Sequence, residues 1–108
     1  MRPLLYDHQV IEALKQNQSL APHSEDIVDW LVEQGADSTG APAIWVWVII
    51  RDEGYDRVWH TKEFRKIERH VEGCLFELLD VHFDFELYIY VRFRLQSEHE
   101  QRLQRYAQ

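Results

Sequence analysis

Four ionisable side chains follow a long apolar run in the middle of the chain and could carry metal or acid–base chemistry. They are Asp52, Glu53, Asp56 and His60. Carboxylate oxygens and imidazole nitrogens are ordinary ligands of divalent metals, and the group could hold a water molecule beside such an ion. Asp52, Asp56 and His60 are therefore the metal-ligand candidates for a small metal-assisted hydrolase. The alternative is a polar turn, which the absence of any known metal-binding spacing and the turn preference of Asp and Gly favour.

Polar and apolar residues alternate strictly over residues 81–95. The odd positions are all apolar, and the even positions are His82, Asp84, Glu86, Tyr88, Tyr90, Arg92 and Arg94. A period of two places alternate side chains on opposite faces of a β-strand, so this segment predicts a half-buried strand with one polar face. The acidic half of that face would bind a metal only with ligands from other elements, and a solvated surface is the simpler interpretation.

The order of charges along this polar face predicts self-association. An antiparallel copy centred on Tyr88 would place Asp84 opposite Arg92, and the same register places His82 opposite Arg94. Fifteen residues at about 3.3 Å each extend roughly 50 Å, about twice the usual strand, so part of the strand needs a partner. The alternative is pairing inside the chain with the apolar run at 43–50. The predicted dimer interface comprises Asp84, Glu86, Tyr88, Tyr90, Arg92 and Arg94.

Tyr88, Tyr90 and Arg92 also suggest a nucleic-acid hypothesis. Aromatic and basic side chains on an exposed strand stack single-stranded bases in RNA-binding sheets. The glycines of the RNA-binding strand motif are missing, and the chain carries a net charge of -7, which opposes binding to phosphates. Nucleic acid is therefore disfavoured as a partner.

Composition sets the class of protein. The 108 residues are 45% hydrophobic and 29% charged, with a single cysteine. This predicts one folded domain without an internal disulfide. The first residues lack the apolar core of a signal peptide, and the longest apolar run is far shorter than the roughly 20 residues that span a bilayer. We therefore expect a cytoplasmic protein that binds no membrane, and its acidic charge suits a basic protein partner.

The N-terminal third is predicted to be helical. Apolar residues recur at helical spacing over residues 7–17. Ser24 is a favourable N-cap for a second helix that ends at Gly35. The predicted buried stripe of this second helix comprises Ile27, Trp30 and Leu31.

The rest of the chain alternates between strand and helix. Residues 43–50 are apolar on both faces and predict a central strand that is covered on both sides. Residues 55–59 then return as a short hairpin strand or form an irregular loop. Residues 62–79 predict the longest helix, in which Cys74 lies on the apolar stripe as a buried, neutral thiol. Residues 97–108 begin with a capping box and predict a mostly solvated helix.

These elements predict a single α+β domain over residues 1–108. Its parts are a helical segment at 1–35, a sheet and long helix at 43–95, and a peripheral C-terminal helix at 97–108. The sheet, mainly antiparallel or mixed, has about three strands and packs against the long helix and the two N-terminal helices. No cofactor is predicted. The leading functional hypothesis is a non-enzymatic interaction or regulatory protein that self-associates through its extended strand.

Overall fold

The central strand β2 (Pro42–Ile50) organises a three-stranded mixed sheet. Strand β1 (Ile27–Ala36) pairs with one edge of β2 in the antiparallel direction, and β3 (Tyr88–Leu95) pairs with the other edge in the parallel direction. The computed structural model describes residues 7–61, 63–78 and 88–106. The predicted α+β class, the small sheet and the central position of the apolar run are confirmed.

Four α-helices accompany the sheet in the described part of the chain. They are α1 (Asp7–Gln16), α2 (Asp52–Thr61), α3 (Phe64–Leu78) and α4 (Gln96–Tyr106). Helices α2 and α3 connect β2 to β3, and a connection of this length is what two parallel neighbouring strands require. Among the described helices, none is both long and apolar enough to cross a membrane.

The main core lies between one face of the sheet and helices α1, α2 and α3. Alternate residues of β2 supply its centre, because a strand directs every second side chain to the same side. Each fully buried aliphatic side chain of this kind contributes about 1.5–3 kcal/mol to folding. The core includes Val10, Leu14, Trp30, Val32, Ile44, Val46, Val48, Ile50, Val58, Ile67, Val71, Leu75 and Val91.

The opposite face of the sheet is covered by α4 at one end. Ile49 on this face is fully buried, and His99 of α4 lies with its Nε2 atom 3.8 Å from Asp29 Oδ2 on β1. Toward the other end, Trp45 and Trp47 of β2 are only half-buried. The sheet therefore has one face in the core and one face that is partly open.

The second predicted N-terminal helix is wrong, because residues 27–36 form β1. A register shift between Ile27 and Asp29 places one extra residue in β1. Such a bulge changes the spacing of core-facing side chains from two to three. Ile27 and Trp30 both reach the core at that spacing, which imitates a helical stripe.

The predicted hairpin at 55–59 is also wrong, as is the alternative irregular loop. Residues 52–61 form α2. Asp52 and Glu53 lie in its first turn, where acidic residues suit the helix dipole. Val58 is buried in the core, and Tyr55, three residues earlier, packs against the same core. This three-residue spacing of apolar side chains is the sequence feature that indicates a helix here.

The remaining elements match their predictions more closely. The first predicted helix forms as α1, with Val10 and Leu14 buried. The long helix forms as α3, with Ile67, Val71 and Leu75 buried. Residues 88–95 of the alternating segment form β3, whereas 81–87 lie outside the described residues. The C-terminal helix forms as α4 and is largely exposed, although its own residue His99 is buried against the sheet.

Candidate functional site

The acidic group after β2 has its three candidate ligands on α2. Asp52 is in the first turn, where its Oδ1 atom accepts a hydrogen bond from the backbone N–H of Ser97 at 3.1 Å. Hydrogen bonds from Ser97 lower the pKa of the Asp52 carboxyl group. Asp56 is exposed one turn later, and His60 follows in the same helix. Asp52 thus links α2 to α4, and the metal hypothesis for this group stays a prediction.

The alternating segment contributes the described half of the predicted interface. Tyr88, Tyr90, Arg92 and Arg94 project from the partly open face of the sheet, on the side of Trp45 and Trp47. Asp84 and Glu86, the acidic half of the prediction, lie outside the described residues. Residues 88–95 pair with β2, as the alternative of intrachain pairing predicted.

Four aromatic side chains lie on the same open face of the sheet, which we call the aromatic face: Trp45, Trp47, Tyr88 and Tyr90. Trp45 and Tyr90 are register partners, and their rings stack with centroids 5.7 Å apart. Tyr88 and Tyr90 stack at 6.4 Å, and Tyr88 is 41% exposed. Such pairs contribute about 0.5–1.5 kcal/mol beyond the burial of their area. The rings are therefore held in place.

Polar contacts fix the open end of the aromatic face. The Tyr90 hydroxyl donates a hydrogen bond to Asp37 Oδ2 at 3.1 Å. Asp37 Oδ1 accepts hydrogen bonds from the Thr39 hydroxyl, the Thr39 N–H and the Ala41 N–H. Burial and the Asp37 carboxylate raise the pKa of the Tyr90 phenol. Tyr90 is consequently a neutral, oriented side chain at physiological pH.

The two arginines of the predicted interface differ in exposure. Arg92 is exposed, and its guanidinium carbon lies 5.6 Å from the centroid of the Tyr90 ring. Arg94 is only 8% exposed and lies 4.2 Å from the centroid of Trp47. Both are at cation–π distance. Arg92 is available to a partner, whereas Arg94 is enclosed at the end that α4 covers.

Sequence reasoning missed the tryptophans of this face. The run at 43–50 was predicted to be covered on both sides, which is correct for Ile49 and incomplete for Trp45 and Trp47. Large aromatic residues at alternate positions of a central strand were the available signal, since such residues often line binding surfaces.

A second cluster surrounds Asp26, which precedes β1. The Asp26 side chain is fully buried, and its Oδ1 atom accepts hydrogen bonds from Arg51 at 2.7 Å and Arg57 at 2.6 Å. Burial raises the pKa of the carboxyl group, but the two arginines lower it by more, so the net shift is downward. His23 lies beside Asp26 and forms a hydrogen bond with Glu63 through Nε2. Asp26 is therefore ionised inside the protein.

Two backbone features, at Gly54 and His23, allow the side chains of this cluster to come together. Gly54 in the first turn of α2 packs so closely on Asp26 that a Cβ atom would overlap the carboxylate carbon. His23 has a φ of 55°, a left-handed conformation that non-glycine residues seldom adopt. Strained backbone of this kind is common at functional sites. Nothing in the sequence pattern linked His23, Asp26 and Glu63, because Asp26 fitted the first turn of the incorrectly predicted helix.

The surroundings of Cys74 disfavour a reactive thiolate. Burial raises the pKa of its thiol, as does the negative charge of Glu77. The side chain is half-buried, with Sγ 3.6 Å from His70 Nε2. The predicted neutral thiol agrees with this environment, although it is less buried than the apolar stripe indicated.

Comparison of the chain with protein-family models, curated proteins and solved structures found no match.

Proposed function

We propose that the protein is a non-enzymatic interaction protein that forms a homodimer through the outer edge of β3. The observation that carries the proposal is the position of β3 in the sheet. Within the described ranges, β3 pairs with β2 and with no other strand. An edge strand presents unpaired backbone N–H and C=O groups, to which another strand can add by main-chain hydrogen bonds.

The charge order of residues 81–95 gives the pairing its direction and register. An antiparallel copy centred on Tyr88 sets Arg92 of one chain opposite Asp84 of the other, twice in each dimer. Opposite charges across a strand pair contribute about 0.2–1 kcal/mol each. Arg92 is exposed and suits this role.

Dimerisation would also enlarge the aromatic face. Two strands related by a twofold axis perpendicular to the sheet keep the same face on the same side. The Tyr88 and Tyr90 rings of the two copies would then lie on one six-stranded surface. A joined face of this size suits a protein partner, since aromatic residues are enriched at the centre of protein interfaces.

A basic protein segment is the partner that the charges favour. The net charge is -7, and Glu33 on β1 is the register partner of Trp45 on the aromatic face. Glu33→Lys should therefore weaken the binding of a lysine-rich peptide, measured by tryptophan fluorescence at low salt. Glu12→Lys on α1 makes the same charge change on an exposed helix and should have a smaller effect.

Sedimentation equilibrium tests the dimer. We expect the unmodified protein to be dimeric at high micromolar concentration. Arg92→Glu should raise the dissociation constant about tenfold or more, because two attractive pairs become repulsive. The double variant Asp84→Arg with Arg92→Glu exchanges the two charges and should return the dissociation constant to that of the unmodified protein.

Arg65→Glu is the matched control, because Arg65 is exposed on α3 and undergoes the same charge change. Its dissociation constant should stay close to that of the unmodified protein. A monomer at high micromolar concentration, or equal weakening by Arg65→Glu and Arg92→Glu, would refute the proposed interface.

Single-stranded nucleic-acid binding is the second candidate, favoured by the stacked rings and by Arg92 beside Tyr90. Aromatic rings contribute about 1–3 kcal/mol for each stacked base. A mobility shift with single-stranded DNA at low salt that Tyr88→Ala abolishes would support it. The absence of any mobility shift would contradict nucleic-acid binding.

A further inference from the structure

Three side chains at the start of β1 bring metal-ligating atoms together. They are His23, Glu25 and Asp26, and one ligand atom from each lies within 4.8 Å of the other two. His23 is partly buried, Glu25 is exposed, and Asp26 is fully buried. None of these three residues belongs to the aromatic face or to the acidic group predicted on α2.

The buried oxygen of Asp26 is the observation that points to a ligand. Oδ1 accepts hydrogen bonds from two arginines, but Oδ2 is buried and has no hydrogen-bond partner within the described structure. Buried polar atoms nearly always have a partner, because an unpartnered one loses its hydration without compensation. A cation beside Oδ2 would supply that partner.

His23 presents its second nitrogen to the same place. Its Nε2 atom is hydrogen-bonded to Glu63, so the neutral ring that donates from Nε2 has a free lone pair on Nδ1. Nδ1 lies 3.9 Å from Asp26 Oδ2, which is too long for a direct hydrogen bond. Two ligand atoms on one tetrahedral zinc ion lie about 3.4 Å apart, so His23 and Asp26 would approach each other by roughly half an ångström on binding the ion. The exposed Glu25 side chain, whose ligand atom lies within 4.8 Å of theirs, would approach by up to about 1.4 Å.

Glu63 is positioned to act as the outer-shell partner of His23, because it is hydrogen-bonded to the ring nitrogen that faces away from Asp26. Histidines that bind metals usually donate their other N–H to a carboxylate, which fixes the tautomer and turns the ring toward the ion. Glu63 Oε2 accepts the hydrogen bond from His23 Nε2, which fixes the ring with Nδ1 toward Asp26 Oδ2.

The nearby charges allow a cation. Arg51 and Arg57 are bound to Oδ1, on the other oxygen of the carboxylate. Lys66 Nζ also lies 3.4 Å from Glu63 Oε1. The carboxylates of Glu25, Asp26 and Glu63 thus balance these three cations, so the cluster is close to neutral before a metal binds. An imidazole nitrogen among carboxylates suits zinc-like transition metals better than Ca²⁺ or Mg²⁺, which prefer oxygen ligands only.

We propose that His23 Nδ1, Asp26 Oδ2 and the Glu25 carboxylate bind a divalent transition-metal cation of the Zn²⁺ class, with Glu63 orienting His23. Three protein ligands leave a fourth tetrahedral position for water. The site joins the start of β1 to the segment between α2 and α3, where Glu63 lies. Metal binding would therefore stabilise the connection of the sheet to its crossover helices.

Titration calorimetry with Zn²⁺ on chelator-treated protein tests the proposal. We expect one bound ion for each chain. His23→Gln should weaken binding by about a hundredfold or more, and Glu63→Gln by about ten- to a hundredfold. Glu25→Gln changes an exposed residue and provides a ligand variant that should keep the fold; its affinity should also fall. Circular dichroism without metal checks that each variant is folded.

Two controls separate this site from other zinc ligands in the chain. His70→Gln removes the histidine beside Cys74 by the same substitution, and Asp52→Ala removes a carboxylate of the acidic group on α2. Both should retain the affinity of the unmodified protein. Cobalt substitution adds a spectroscopic readout: bound Co²⁺ should show the visible absorption of a four-coordinate site without a thiolate charge-transfer band.

Three results would overturn the proposal. These are no Zn²⁺ binding by the folded, chelator-treated protein, unchanged affinity in His23→Gln, and loss of binding in His70→Gln together with a thiolate band. The last result would assign the ion to Cys74 and His70 instead. None of these measurements depends on the dimer, so the two proposals succeed or fail separately.

Discussion

Gly54 lies against the buried carboxylate of Asp26, and its missing side chain is a packing requirement. A Cβ atom at residue 54 would overlap Asp26, which cannot move away because Arg51 and Arg57 hold it. We expect Gly54→Ala to lower the free energy of unfolding by about 1–3 kcal/mol, measured by urea denaturation.

Gly73 provides the comparison for Gly54. It lies in α3, and apart from the helix's own backbone no atom of the described residues comes within 4 Å of an added Cβ. Gly73→Ala should therefore raise stability by up to about 1 kcal/mol, because alanine favours the helix. Changes in the same direction for both variants would contradict the proposed packing of Gly54 on Asp26.

The stability that Asp37 contributes at the end of the aromatic face depends on pH. Its hydrogen bond from the Thr39 hydroxyl is the largest influence; it and the other hydrogen bonds outweigh burial and lower the carboxyl pKa below its ordinary value of 3.8. A group whose pKa is lower in the folded state stabilises the protein fully above its unfolded-state pKa. That contribution is lost as the pH falls through the folded-state pKa.

Asp37→Asn should therefore be less stable than the unmodified protein at pH 7, and the difference should narrow below about pH 4. Urea unfolding across this pH range measures it. Other carboxylates also lose stabilisation in acid, but they do so in both proteins and cancel in the comparison. A difference that stays constant down to pH 2 would show that the Asp37 charge does not matter.

Residue-level prediction succeeded where the contacts are local to one strand. Alternation alone placed Tyr88, Tyr90 and Arg92 on one face. It could not reveal that Asp26 binds Arg51 and Arg57, because those partners are 25 and 31 residues away and only the antiparallel pairing of β1 with β2 brings them close. The cluster became visible only when the register was known.

At the level of elements, local spacing was misleading where the backbone departs from regular geometry. The bulge in β1 put Ile27 and Trp30 at helical spacing. In α2, Gly54 resembled a turn residue, yet its role is to allow close approach to Asp26. Elements with unbroken periodicity, such as α3 and β3, were identified correctly, because no tertiary contact alters their pattern.

The contact between α2 and α4 gives a prediction at the same scale. Asp52 accepts the backbone N–H of Ser97 in the first turn of α4, and this N–H has no acceptor within its own helix. We expect Asp52→Ala to lower the melting temperature by about 4 °C, the usual effect of losing a helix cap in a small domain.

Glu53→Ala is the matched control, because Glu53 is exposed in the same turn of α2. It should change the melting temperature much less. If the two variants are equally destabilised, the effect belongs to the acidic first turn of α2 and not to the bond with Ser97.

At the scale of the whole molecule, the sequence predicted the class but not the arrangement of strands. An apolar run and an alternating segment indicated a central strand and a half-covered strand, as observed in β2 and β3. Strand order and direction depend on which edges meet, and no residue pattern records that choice. The mixed sheet follows from the β1–β2 pairing, which the predicted second helix had concealed.

Hydrogen exchange across the sheet tests both its topology and its proposed self-association. Backbone N–H groups of β2 are bonded on both edges and covered by the core, so they should exchange slowest, close to the rate of global unfolding. In β3, the alternate N–H groups that face away from β2 should exchange rapidly in dilute protein. They should slow as the concentration rises, because in the proposed register residues 81–88 of a second copy would bond them. Arg92→Glu should remove that concentration dependence while leaving the β2 rates unchanged. If the outward N–H groups of β3 exchange at the same rate at every concentration, the dimer does not use this edge.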